Sequence, residues 1–114
     1  MKATLPYPPS KLSPNKRLHW AALAKAKRDY RWTCAMHARA AGWRLIDRDR
    51  IAIKITFCPP DKRRRDRDNM IAAFKSGADG LVDVIGVDDA NWTPTYSVGD
   101  PIKGGCVRVE IADD

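Results

Sequence analysis

The chain has 114 residues, 44% hydrophobic and 31% charged, with a formal net charge of +7. That size and balance describe one globular domain over residues 1–114 and argue against a disordered chain; no apolar run approaches the ~18 residues of a membrane span. The positive excess, with a pI near 9.6, favours a polyanionic partner, nucleic acid above all, over a basic protein with no such ligand.

The N-terminal "MKATLPYPPS" lacks the apolar core of a signal peptide. Residues 5–16 carry prolines at 6, 8, 9 and 14, so they are read as a short strand followed by an ordered loop. From Leu18 to Ala41 the pattern is helical. Leu23, Ala26, Tyr30, Cys34, His37 and Ala41 share one face, Trp32, Met36 and Trp43 another, and Lys27, Arg28, Arg31 and Arg39 the arc between. Two apolar stripes need two surfaces to bury against, the chain's own sheet and a second subunit, so a homodimer is expected. Gly42 stops the helix.

Residues 50–60, "RIAIKITFCPP", alternate as a half-buried strand ended by Pro59 and Pro60. A second helix is expected from Asp68 or Asn69 to Val84, with Gly77 and Gly80 weakening it by about 1 kcal/mol each and allowing close packing. "TPTYSV" and "CVRVEIA" read as two final strands. The order is β-α-β-α-β-β, an α+β domain with a small mixed sheet and two main helices. Cys34, Cys58 and Cys106 are far apart and form no metal-type pair, which fits a reducing compartment, the cytoplasm.

The chemistry concentrates in "PPDKRRRDRDN", residues 59–69. Lys62, Arg63, Arg64, Arg65 and Arg67 alternate there with Asp61, Asp66 and Asp68. Asp66 and Asp68, two residues apart before a helix, can converge, and Asp88 or Asp89 joins them if the chain folds back. Two carboxylates 4 Å apart repel by about 4 kcal/mol at an effective dielectric near 20, so they protonate, meet arginines or bind a cation. An oxygen-only set suits Mg²⁺ or Mn²⁺. His19 and His37 stand apart from other metal-type ligands, which argues against zinc, and no glycine-rich phosphate loop points to a nucleotide cofactor.

Two chemistries fit. In one, arginines hold DNA phosphates and carboxylates hold a metal that activates water. In the other, Asp68 caps the helix, Asp66 pairs with nearby arginines, and the protein is a non-catalytic DNA- or RNA-binding regulator. A small subunit whose basic surface serves a protein complex is a third possibility. Asp68, Lys75 and Asp79 fall on one helical stripe, where a lysine reaches the phosphate or attacking water, or is simply solvated. Lys11, Lys16 and Arg17 in the early loop extend the basic surface. Contact with about six phosphates would give a salt slope near −5.

"PDKRRRDRDN", the following lysine-bearing helix and "VDDANW", flanked by "LPYPPS" and "KGGCVRVEI", resemble the RusA family of Holliday-junction resolvases over nearly the whole chain. The resemblance implies a Mg²⁺-dependent endonuclease of DNA recombination and repair that resolves four-way junctions. It implies an intertwined homodimer with one acidic site per subunit, found in bacteria and especially in phages and prophages. Carried onto this chain, the metal-holding residues are Asp66, Asp68 and the pair Asp88–Asp89, with Asp89 the third essential carboxylate and Lys75 the catalytic lysine. Lys62, Arg63, Arg64, Arg65, Arg67 and Asn69 would face DNA. One departure stands out: the lysine expected about a turn after Asp68 is Ala72 here, and Lys75 lies three residues later.

Overall fold

The structure is a computed structural model and describes residues 1–112. Strand β1 (Lys2–Pro6) leads through a 3₁₀ turn at Ser10–Leu12 into helix α1 (Trp20–Ala40). Strand β2 (Ile51–Cys58) is followed by helices α2 (Arg67–Ala73) and α3 (Lys75–Ile85), a 3₁₀ turn at Asp89–Asn91, and strands β3 (Trp92–Val98) and β4 (Cys106–Ile111). The four strands lie in the order β1-β4-β2-β3. Among the described residues only β2 and β3 are parallel, and a parallel pair needs a crossover connection, here the α2–α3 unit.

Strand alternation sets the core. Ile51, Ile53, Ile55 and Phe57 are buried while Ala52 and Lys54 are exposed. Register places Val107, Val109 and Ile111 of β4 opposite Phe57, Ile55 and Ile53, and Leu5 opposite Val107. These side chains form one hydrophobic cluster with α1 and α3. The opposite sheet face is polar, with Thr56 and Ser97 hydrogen-bonded at 3.0 Å and Lys2 3.7 Å from Glu110. No helix among the described residues is long and apolar enough to cross a membrane.

Helix α1 is capped by His19, whose Nδ1 accepts from the Ala21 N–H at 3.2 Å. At its far end Gly42 takes φ +90°, its N–H bonding the Arg39 carbonyl while the Trp43 N–H reaches back to Ala38. This paired closure is the Schellman arrangement, which requires a left-handed residue where Gly42 stands. It also corrects one expectation. Trp43 does not continue a second helical stripe; the turn at Gly42 folds it into the chain's own core. Of the first stripe, Ala26, Tyr30 and Cys34 are buried and Leu23 half-buried, but His37 and Ala41 are exposed. The buried face drifts round to Ala35 and Ala38 where α1 crosses α3.

The expected second helix is two helices, so the main helices number three. Phe74 interrupts it for one residue at a buried point, its ring edge-on to Phe57 at 5.8 Å and to Tyr30 at 6.3 Å. Tyr30 in turn donates its hydroxyl to the Pro6 carbonyl at 2.6 Å, tying α1 to β1.

Helices α1 and α3 meet where side chains are absent. A Cβ on Gly80 would lie 2.2 Å from the Arg31 carbonyl oxygen, and one on Gly77 2.7 Å from the Tyr30 ring. Gly80→Ala gains about 1 kcal/mol in helical propensity but must push two backbones apart, an overpacking loss of up to about 3 kcal/mol. Urea unfolding is therefore expected to show a net loss of about 2 kcal/mol; a net gain would mean that the crossing yields freely.

Candidate nucleic-acid interface and acidic cluster

The three aspartates of the 59–69 stretch have different fates. Asp61 is the organiser. It accepts the Arg63 backbone N–H at 3.0 Å and lies 3.2 Å from the Arg63 Nε and 2.9 Å from the Arg65 guanidinium. Arg65 also donates to the carbonyls of Asp61 and Arg63. These bonds, that of Arg65 foremost, hold the Asp61 carboxyl far below the usual carboxylate range. The sequence signal was there, an aspartate with arginines two and four residues on.

Asp66 is the helix cap, its Oδ1 accepting the Asp68 N–H at 2.8 Å. The alternative that Asp68 caps α2 is not what is found: the cap is Asp66, two positions earlier, and Asp68 lies exposed in the first turn. Arg67, which separates them, turns away and donates to the Tyr96 carbonyl at 3.0 Å. Among the described residues neither Asp66 nor Asp68 is ion-paired, because the neighbouring guanidinium contacts go to Asp61 and Tyr96.

The Asp88–Asp89 pair does fold back toward this helical unit, and it arrives at Lys75. Asp88 is exposed and caps the 3₁₀ turn, accepting the Ala90 N–H at 2.9 Å. Asp89, half-buried, lies 2.5 Å from Lys75 Nζ, and the same ammonium meets Asp79 at 2.8 Å. Lys75 and Asp79 therefore share a stripe as expected; Asp68, on the preceding helix, is not bonded to them. The Lys75 hydrogen bond lowers the Asp89 pKa, while Asp79 and then Asp89 raise that of Lys75.

The donor chemistry of Asp66, Asp68, Asp88 and Asp89, carboxylate oxygens at or near the surface, suits a hard cation such as Mg²⁺. Among the described residues, no three His, Cys, Asp or Glu side chains are grouped to hold a metal as they stand. Two of the carboxylates are engaged as caps and one by Lys75.

The basic residues divide. Lys16 lies with Arg63, Arg64 and Arg65 around a cleft of about 680 Å³, and Asp66 and Asn69 border it. Lys62 and Arg17 are exposed. Lys11 stands elsewhere, beside α1, where it is one of the charges that lower the Asp29 pKa, behind the Lys25 hydrogen bond that dominates. Among the described residues, sequence reasoning missed the Tyr96 carbonyl as the partner of Arg67, since β3 is 29 residues away and nothing local marks the contact.

Fold and site together define an α+β domain with a basic cleft bordered by Asp66, and with Asp68 exposed two residues on, both without an ion pair among the described residues. No family model matches the chain. It is 37% identical over 103 residues to an uncharacterized protein of Xylella fastidiosa (strain Temecula1 / ATCC 700964), covering 88% of this chain and 67% of that one. The chain belongs to the same family as that protein.

The Lys75–Asp89 pair has a defined pH window. The Asp89 contribution is present above pH 3.8, its ordinary pKa, and is lost as pH falls through the lower folded value. The Lys75 contribution is present below 10.5 and is lost as pH rises through its raised value. In Lys75→Met the Asp89 carboxyl is expected to titrate higher than in the parent, as followed by carboxyl-carbon NMR. An unchanged titration would mean that the pair does not hold in solution.

Proposed function

We propose that the protein is a divalent-metal-dependent endonuclease acting on branched DNA, four-way junctions in particular. The observation that carries this reading is that Asp66 and Asp68 are exposed and, among the described residues, without an ion pair inside a basic stretch whose guanidinium contacts go elsewhere. A regulator built only to grip phosphate gains no affinity from these two carboxylates, since each repels the ligand; Asp66 also caps α2, but an uncharged asparagine would serve that role about as well. Asp66, Asp68 and Asp89, with Asp88 beside it, would hold Mg²⁺ or Mn²⁺. Such an ion would supply Lewis acidity toward water and toward the charge that develops on the phosphate.

The chain's own residues do the rest. Arg63, Arg64 and Arg65 with Lys16 and Asn69 would seat a phosphate backbone along the cleft, with Lys62 exposed in the same loop and Arg63 and Arg65 held in place by Asp61. Arg67, anchored to β3, fixes the helix start that carries both carboxylates. Lys75 keeps Asp89 ionised and positioned, and its ammonium, beside Asp79 and Asp89, would supply positive charge to the phosphate. Lys11 and Arg17 would meet DNA outside the cleft.

The homodimer belongs to the same reading. Trp32, 65% exposed, and half-buried Met36 are one turn apart on the outer side of α1, an apolar pair suited to a second copy. A two-fold dimer would present two sites to a near-symmetric junction. Light scattering at micromolar concentration is expected to give a dimer and Trp32→Glu a monomer; a monomeric parent would remove this part of the reading.

Asparagine caps a helix about as well as aspartate, so Asp66→Asn should keep α2 intact while removing the charge. With a synthetic four-way junction and Mg²⁺, the parent is expected to cleave, and Asp66→Asn and Asp68→Asn to lose about 100-fold or more. Chelation should stop cleavage and leave binding. Binding without cleavage under every divalent metal tried would favour the non-catalytic regulator instead.

A further inference from the structure

Helix α2 has a depression on each flank. At 100° per residue Asn69 and Ala73 face one way and border the cleft described above. Ile71 and Ala72 face the other way, toward a separate depression of about 550 Å³ whose far wall is α1. That wall carries Lys27, Arg28 and Arg31.

The charges of this second depression are unevenly satisfied. Arg31 is held by Asp83 through bonds of 2.7 and 2.8 Å, and Lys75 by Asp79 and Asp89. Lys27 and Arg28 are exposed, and among the described residues they have no ion pair. Ser76, the sole buried polar or charged residue among those described, lines the same depression. Two free cations and a hydroxyl, walled by apolar Ile71 and Leu12, are the elements of a phosphate seat.

We propose that this second depression binds a second phosphodiester backbone, so that α2 stands between two strands of one branched DNA. The inference rests on the nuclease reading for the class of ligand. A linear duplex offers two backbones across a major groove about 12 Å wide, enough to admit a helix. The start of this helix, however, carries Asp66 and Asp68 without cationic partners among the described residues, and in a groove they would stand between two rows of phosphates that repel them. At a branch the strands diverge, and the helix meets two backbones without entering a groove.

The test is equilibrium binding by fluorescence anisotropy, without divalent metal, across a salt series. The ligands are an immobile four-way junction and a linear duplex of the same arm sequence. The proteins are the parent, Lys27→Ala/Arg28→Ala and Arg63→Ala/Arg64→Ala, each checked for folding by circular dichroism. The α1 double variant is expected to lower the junction salt slope by about 1.8, two phosphates at 0.9 each, and to leave the duplex slope unchanged. The loop double variant should lower both. An unchanged junction slope in the α1 variant would overturn the phosphate seat. An equal fall on duplex and junction would overturn its assignment to a branch strand. Because the readout is metal-free binding, a parent that never cleaves would count against the nuclease reading while leaving this result to stand or fall alone.

Discussion

The crossing of α1 over α3 at Gly80 is the constraint on which the rest depends. Main chain meets main chain there, with no room for a methyl group. This close approach brings Arg31 of α1 onto Asp83 of α3 and sets Lys27 and Arg28 across from the start of α3, where Lys75 stands. Tyr30, one position before Arg31, packs its ring beside Phe74 and donates its hydroxyl to β1. Phe74 closes on Phe57 of the central strand β2. One line of contacts thus runs from sheet to helix to helix, and the charged residues are fixed by where that line places the helix ends. The exposed ion pairs contribute little stability themselves, at most about 1 kcal/mol each.

A domain of net charge +7 must decide which carboxylates to use internally. Asp61, Asp83, Asp79 and Asp89 neutralise or orient nearby cations. Asp66 and Asp88 satisfy backbone N–H groups at the starts of helical turns, where the local dipole favours a negative charge. Capping fixes a carboxylate's direction while consuming one oxygen, so a cap is already a partly organised ligand. The same geometry therefore serves the fold and, on the nuclease reading, the chemistry, and capping alone does not decide between the two uses.

Much of this was legible in the sequence because it depends on short-range patterns. The alternation of Ile51, Ile53, Ile55 and Phe57 marks β2 and its buried face without reference to anything distant. Gly42 marks the end of α1, and Gly77 and Gly80 mark close packing, though not the partner they pack against. The failures share a cause. Trp43 fits the helical spacing of Trp32 and Met36, but periodicity takes no account of a left-handed turn that redirects the chain. The break at Phe74 has no proline or glycine at that position to announce it; it appears only when the ring is placed between Phe57 and Tyr30, residues 17 and 44 positions away in sequence. Register and sheet order, with β4 inserted between β1 and β2, are likewise set by long-range pairing that local propensity does not encode.

Lys75 owes its place to the break between α2 and α3 and to the loop that returns Asp89 to it. The resemblance to RusA resolvases asks for a lysine one turn after Asp68, where Ala72 stands exposed. Were α2 and α3 one straight helix, Lys75 would lie about 4.5 Å further along the axis at 1.5 Å per residue. They are not one helix, and the interruption at Phe74 makes Lys75 the first residue of α3. The returning loop then delivers Asp89 to it. Lys75 is in contact with Asp89, the residue that the nuclease reading takes as the third carboxylate, and is not bonded to Asp68. Its ammonium also supplies positive charge to Asp79 and Asp89 at once, as a cation between carboxylates would. A divalent ion drawing on Asp89 would therefore share that carboxylate with Lys75. The ammonium would be left partly free beside the site, with Asp79 still holding its other side. On the nuclease reading, that partition would leave the lysine a fixed charge beside Asp79 and Asp89, with no movement of the helix required.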